Sequence, residues 1–198
     1  MSESATKQER CQPTGLAWWG VMMMESARDL TSRKLGSPRL TLEPLGLEHA
    51  AELAPLLADL ALHRFTGGMP PAPGELRTRV ARQVRGQSPD GNEIWLNWVV
   101  RQRSTSQAVG TMQATIYAEQ NSRVAVLAWV IGSAHQGQGL ATEAALLMSS
   151  WLRRQGISRL RAHIHPKHDA SMAVAAAIGL HPTKVIVSGE RRWESAPT

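Results

Sequence analysis

Residues 124–152 read VAVLAWVIGSAHQGQGLATEAALLMSSWL, and the rest of the chain is arranged around them. Residues 124–131 form an unbroken apolar run, rich in β-branched and aromatic types. That length is short for a helix and suits a strand covered on both faces. Gly132-Ser133-Ala134-His135 ends the run, and Gln136-Gly137-Gln138-Gly139 follows with two more glycines. From Leu140 the period turns helical. Leu140, Ala144, Leu147, Met148 and Trp151 share one stripe, with Glu143, Ser149, Arg153 and Arg154 off it. Glu143 in the first turn and the arginines in the last complement the helix dipole, and Gly156 is a natural stop. The unit is strand, glycine-rich turn, helix. Such a turn exposes main-chain N–H groups that lack intrahelical partners, at the positive end of the dipole, and so suits phosphate oxygens.

Two familiar phosphate-binding patterns fail here. A dinucleotide fingerprint beginning at Gly137-Gln138-Gly139 meets Thr142 where Gly or Ala is wanted. A nucleotide-triphosphate loop needs Lys and Ser/Thr after Gly137 and finds Gln138-Gly139 instead. The pattern that fits is Q-x-x-G-x-A, from Gln136 through Gly139 to Ala141. On this string, set between a buried strand and an amphipathic helix, the chain resembles the GNAT superfamily of acyl-CoA-dependent N-acyltransferases. The fuller run from Gln136 to Ala144 is most similar to the branch that holds the ribosomal-protein N-terminal acetyltransferases. His165-Pro166-Lys167-His168-Asp169-Ala170-Ser171 and Gly179-Leu180 match later parts of the family pattern, P-x-N-x-A-S and Gly-Phe.

A chain of 198 residues suffices for one domain with a sizeable core. Hydrophobic content of 42% and charged content of 19% are those of a globular protein, which excludes wholesale disorder. The single cysteine, Cys11, excludes an internal disulfide and a cysteine-rich metal site, and fits a reducing compartment. The net charge of +6 has two readings: a soluble arginine-rich protein, or a pull on a polyanion, for which coenzyme A with its three phosphate groups suffices. Without a dense Lys/Arg block, a nucleic-acid partner has no support.

Residues 1–37 read as a flexible extension ahead of a domain spanning 38–198. Within them 15–24 (GLAWWGVMMM) is apolar but interrupted by glycines, and far below the ~18–20 residues needed to span a bilayer. It reads as a mobile segment, or as residues upstream of a start at Met22, Met23 or Met24. Alternation over 39–44 predicts the first strand, and the leucine and alanine spacing over 47–64 predicts one amphipathic helix. A Gly/Pro-rich loop follows to Gly74, then a second helix from about Glu75 to Arg85. Strands are expected over 94–102, with Trp95 and Trp98 as core residues, and over 108–117. Beyond the central unit, 158–164 should pair parallel to 124–131 through a right-handed crossover. A short alanine-rich helix over 169–178 and a hairpin over 182–188 and 191–194 complete the chain. The order β-α-α-β-β-β-α-β-α-β-β is the arrangement of the resembled family. It implies an α/β (α+β) fold with a mixed, mostly antiparallel central sheet, a splayed parallel strand pair and about four flanking helices.

The resemblance implies acetyl-CoA as co-substrate, no metal, and transfer of an acetyl group to a primary amine of a small molecule or a protein N-terminus. It further implies a cytoplasmic monomer or homodimer with no membrane partner. A catalytically degenerate acyl-CoA-binding sensor and an antibiotic-modifying enzyme are the alternatives. For the coenzyme it points to main-chain groups of Gln136, Gly137, Gln138, Gly139, Leu140 and Ala141 at the diphosphate. Trp129, Val130 and Ile131 would serve the thioester and pantetheine arm, with His168 and Ser171 beside them. An attacking amine must first lose its proton. His163, on the strand where some family members carry a glutamate, is the first candidate base, because imidazole exchanges protons near neutral pH. A plain strand histidine among arginines is the alternative. Glu119 is the second candidate base. Ser171 is the candidate hydrogen-bond donor to the departing sulfur, since the tyrosine frequent in the family would fall at Ala175. It is equally a first-turn helix serine. His63, Phe65 and Asn97 are candidate acceptor contacts. His163, His165 and His168 lie close in sequence, but no carboxylate or cysteine completes a metal set.

Overall fold

The computed structural model describes residues 29–65, 69–120 and 122–196. Eight strands are named in chain order: β1 (Leu35–Gly36), β2 (Leu40–Pro44), β3 (Glu93–Gln102), β4 (Ala108–Glu119), β5 (Ser122–Ile131), β6 (Arg159–Ile164), β7 (Leu180–Val187) and β8 (Glu190–Ser195). Four helices join them: α1 (His49–Leu57), α2 (Pro73–Gln83), α3 (Leu140–Arg154) and α4 (Asp169–Ala177). The strands form one sheet in the order β1-β2-β3-β4-β5-β6-β8-β7, antiparallel throughout except for β5–β6. Fold class and parallel pair agree with the sequence reading.

The period-2 patterning of the strands divides the core between the two sheet faces. Leu96, Trp98 and Val100 of β3 face α3, whose Leu140, Ala144, Met148, Trp151 and Leu152 are buried in one continuous cluster with Val174 and Ala175 of α4. Trp98 and Trp151 meet edge to face, their ring centroids 5.8 Å apart. Val99, on the opposite face, packs with Leu53 and Leu57 of α1 and with Leu76 and Val80 of α2. Burying each of these large side chains stabilises the fold by about 1.5–3 kcal/mol. The sheet is therefore a fixed partition, with α3 and α4 on one side and α1 and α2 on the other.

Several expectations need correction. The helix expected over 47–64 stops at Leu57. Asp59 adopts an extended ψ of 117°, and its carboxylate accepts from the Ala61 N–H at 2.9 Å, opening a separate 3-10 turn over Leu60–His63. An aspartate that bonds nearby backbone competes with helix continuation. The boundary at residue 38 is also too late. Leu30 and Leu35 are buried in the main cluster, and Trp98 Nε1 donates to the Arg33 carbonyl at 2.8 Å. The apolar run over 15–24 lies outside the described residues. Trp95 is half-exposed rather than core, its Nε1 donating to Glu93 at 2.8 Å. Ser149, placed off the α3 stripe, is fully buried and satisfies its hydroxyl on the Leu146 carbonyl at 3.2 Å.

Candidate active site

β5 pairs with β4 along its whole length, from Ser122 against Glu119 to Ile131 against Gly110. On its other edge it pairs with β6 over three residues only, Val124–Val126 against Arg159–Arg161. Beyond Val126 the two strands part, which opens a V whose arms are 127–131 and 162–164. The expectation that β5 is covered on both faces therefore fails at this end. Leu127 and Ile131 are buried, but Ala128 is exposed and Val126, Trp129 and Val130 only half-buried. An apolar strand with a free main-chain edge is a surface for an extended chain of amides and methylenes.

The vertex of the V is pinned by charge. Arg161, 7% exposed, donates from Nη1 to Tyr117 Oη and Glu119 Oε1, both at 2.8 Å, and from Nη2 to Glu119 Oε2 at 2.7 Å. Arg159 reaches the same carboxylate at 2.8 Å, and Arg161 Nε donates to Glu194 Oε1. Glu119 is thus held by two guanidiniums. The Arg161 hydrogen bond is the largest cause of a carboxyl pKa pulled down to about 2. A carboxylate this acidic takes no proton from an amine near neutral pH, and it does not line the cleft. Glu119 is withdrawn as a candidate base and is a structural anion.

At the open end, a cavity of about 580 Å³ is lined by residues 126–131 of β5, residues 162–165, the α3 entrance, Phe65, His168, Ser171 and Glu190. Gly137 and Gly139 adopt left-handed φ values of 74° and 75°, and Gly139 is the N-cap of α3. Only glycine holds that geometry without strain. The first α3 bond in this stretch runs from the Glu143 N–H to the Gly139 carbonyl at 3.0 Å. The main-chain N–H groups of 137–142 have no acceptor among the described residues. Gln136 turns its side-chain amide back onto the Ile131 carbonyl at 2.8 Å, tying turn to strand end. Six free amides at a helix N-terminus are an anion site suited to a diphosphate.

Of the candidate coenzyme residues, Trp129, Val130, Ile131, Gln136, Gly137, Gly139, Leu140, Ala141, His168 and Ser171 all line the cavity. Gln138 lies outside the lining and turns its carbonyl towards Arg39. His163 lines the cavity from β6, opposite Arg192 of β8. Trp129 Nε1 donates to Ser171 Oγ at 3.3 Å. This occupies an acceptor position of the serine and leaves its O–H free to donate into the cleft. Phe65 lines the cavity too, its ring stacked on His168 at 4.3 Å and 5.5 Å from His165. Burial lowers the His168 pKa, and His165 adds to that effect. The ring that stands where the family has asparagine is neutral at pH 7, with both a donor and an acceptor nitrogen.

The other two acceptor candidates fall elsewhere. Asn97 sits on β3, accepting from Gln113 Nε2 at 2.8 Å and donating to the Gln83 carbonyl at 3.4 Å, so its amide is spent inside the fold. His63 lies beside the cavity, a ring nitrogen 3.2 Å from the Leu57 carbonyl. Ala175 is fully buried, so no side chain of that position reaches the cleft. Among the described residues no group of three His, Cys, Asp or Glu side chains is placed to hold a metal ion.

His135, Thr142 and Glu190 line the cavity without having been singled out from sequence. Glu190 is the only carboxylate among the lining residues. It opens β8, whose next residue Arg191 pairs with Ile164, so the hairpin delivers it to the open arm of the V. Only the register of β8 against β6 reveals this. By contrast Asp59 and Glu75, acidic residues of the 57–81 segment, cap the main-chain N–H groups of Ala61 and Ala72. A second, more open depression of about 770 Å³ lies between 88–95 and Tyr117-Ala118. Its Asp90 accepts from Ser88 and Asn92 and its Glu93 from Trp95, which leaves neither for a reaction.

A family profile described as the acetyltransferase (GNAT) domain matches residues 39–181. No functionally curated protein matches the chain. Among solved structures, an acetyltransferase from Salmonella typhimurium that modifies the N-terminal serine of ribosomal protein L7/L12 superposes with a TM-score of 0.65 at 17% identity, covering 82% of this chain and 96% of that one. The microcin C7 self-immunity acetyltransferase MccE, solved with acetyl-CoA and AMP, gives 0.67 at 15% identity over 84% and 99%. AAC(6')-Ib, solved with paromomycin and acetyl-CoA, gives 0.66 at 13% identity over 79% and 93%. These likenesses carry the fold; the family profile carries more. Matched by it from β2 into β7, the chain belongs to the GNAT acetyltransferase family and is an acetyl-CoA-dependent N-acyltransferase.

Proposed function

We propose that the chain acetylates a primary amine of a small molecule or of a protein N-terminus by direct attack on the thioester, with no acetyl-enzyme intermediate. The observation that carries this reading is the continuity of the cleft. Its free amides at 137 and 139–142, bare β5 edge, His163 and Ser171 line one cavity, and no cysteine stands among them to take the acetyl group. The thioester supplies an activated carbonyl; the protein's part is to hold, polarise and move protons. The N–H groups along 127–131 that β6 leaves unpaired are the donors for the pantetheine amides and for the carbonyl oxygen as negative charge grows on it. His163 accepts the proton of the attacking amine, directly or through a water. As the carbon–sulfur bond breaks, the Ser171 O–H, oriented by Trp129, donates a hydrogen bond to the sulfur.

For the acceptor, Glu190 supplies one negative charge beside a neutral His168, and Phe65 supplies an apolar wall. That suits an amine that enters as a monocation near an apolar group better than a polycation, which would want several carboxylates. The alternative of an antibiotic-modifying enzyme is retained for singly charged amines. The test is release of free thiol from acetyl-CoA across a panel of N-terminal peptides, small primary amines and aminoglycosides. Turnover confined to singly charged amines is expected. Turnover only with aminoglycosides would overturn the acceptor reading, and coenzyme binding without turnover on any amine would favour a sensor.

A further inference from the structure

Arg39 stands where chain enters β2, and its side chain crosses to the mouth of α3. Nε donates to Glu143 Oε2 at 2.6 Å, the Arg39 main-chain N–H donates to Glu143 Oε1 at 3.3 Å, and Nη1 donates to the Gln138 carbonyl at 3.1 Å. Ser37 Oγ donates to Glu143 Oε1 at 2.6 Å, fixing the carboxylate from the other side. A Cβ placed on Gly139 would lie 3.7 Å from Arg39 Nη2. The Arg39 side chain nevertheless keeps 53% of its surface in solvent.

Two consequences follow from covalent geometry and charge. The Gln138 carbonyl and the Gly139 N–H belong to one planar trans peptide and point in opposite directions. Gripping that carbonyl from the β2 side therefore aims the Gly139 amide away from the sheet, into the run of free amides. Glu143, in turn, is a fixed negative charge in the first turn of the helix that receives the diphosphate. Left alone it would repel that anion at close range, and the guanidinium cancels it. Resting on the coenzyme reading above, we infer that Arg39 is a positioning residue for the coenzyme diphosphate, acting through Glu143 and the Gln138–Gly139 peptide. It lies outside the glycine motif, nearly a hundred residues earlier in the chain.

The test is calorimetry with CoA and with dephospho-CoA on wild type, Arg39→Ala, Arg39→Lys and the double variant Arg39→Ala/Glu143→Gln, together with acetyl-CoA kinetics and thermal melts. Arg39→Ala should raise the CoA Kd and the acetyl-CoA KM about ten-fold, the size of one lost charge-assisted contact. Its kcat at saturation should stay within about two-fold of wild type, because nothing at the thioester has moved. Arg39→Lys, which keeps the charge and loses the fork, should fall between the two. The double variant should bind CoA more tightly than Arg39→Ala, because the uncancelled carboxylate has gone; a purely structural ion pair gives no such recovery. Dephospho-CoA should show the same loss as CoA. If Arg39→Ala does not fold, the Lys variant and its intermediate Kd decide. A Kd within two-fold of wild type in folded variants, an equal fall in kcat, or a loss seen with CoA but not dephospho-CoA overturns the assignment alone. Wild-type protein that binds no CoA overturns the coenzyme site and this assignment together.

Discussion

His163 and Ser171 approach the cleft from different elements, and their roles separate in kinetics. His163 comes from β6, one of the two arms that the splay exposes, and lines the cavity there; in the proposed mechanism it is the base for the attacking amine. A base there matters only while the amine is protonated. His163→Ala should therefore lower kcat by about 10²-fold near neutral pH, the size expected of general-base catalysis. Acetyl-CoA affinity should be little changed. The loss should shrink as pH rises and the amine deprotonates in solution. A pH–rate profile of the variant parallel to wild type, or unchanged kinetics, removes the residue from the mechanism. Glu119 shows the opposite case at the same scale. From sequence it was a carboxylate just before the central strand; in the fold it accepts three hydrogen bonds from two arginines and does not line the cleft. Sequence gives the distance from a residue to its neighbours along the chain, whereas Arg159 and Arg161 reach it from some forty positions away.

At the scale of elements, the order and bounds of the strand–turn–helix unit were legible, because what specifies them is local, whereas the exposure of β5 and the burial of Ser149 were not. A β-branched run, glycines at the two left-handed positions and a helical stripe from Leu140 all lie within one short segment. The parallel pairing of β6 was legible too, because a strand reached through a crossover helix returns parallel to the one before it. What failed was local in the opposite sense. The break at Asp59 depends on whether one side chain bonds its own backbone, and Leu-rich periodicity on both sides of it conceals that choice. The acceptor end, with Glu190 next to the last paired residue of β8, depends on the register of β8 against β6, which no local pattern encodes. The legible unit carries its own prediction. A Cβ at Gly137 meets nothing within 4 Å, and one at Gly139 meets only Arg39 at 3.7 Å. Gly139→Val therefore costs the fold about 1–2 kcal/mol through its positive φ, without a steric clash inside the protein. The side chain instead crowds the free amides. A small drop in Tm with loss of measurable CoA binding is expected; an unaltered Kd by calorimetry would sink the diphosphate assignment.

For the molecule as a whole, the active cleft exists because the sheet is zipped at one end of β5–β6 and open at the other. Three paired residues hold the vertex, and the charge cluster of Glu119, Arg159, Arg161, Tyr117 and Glu194 sits over that pairing. The cluster ties β4, β6 and β8 together at the level where the β5–β6 pairing stops. Its pH dependence follows from the Glu119 carboxyl, lowered from 4.5 in the reference state to about 2 by its guanidinium partners. A folded-state pKa below the unfolded one means that the unfolded chain binds protons first as pH falls. The contribution is complete above about pH 4.5 and is lost progressively towards pH 2. Urea midpoints followed between pH 6 and pH 2.5 should fall across that window in wild type. Glu119→Gln should start lower, because two arginines lose their anion, and should fall less steeply over the same interval. CoA affinity at neutral pH should weaken in that variant as the arms lose their fixed separation. Parallel pH curves for the two proteins would show that the vertex is held by packing and not by this charge cluster.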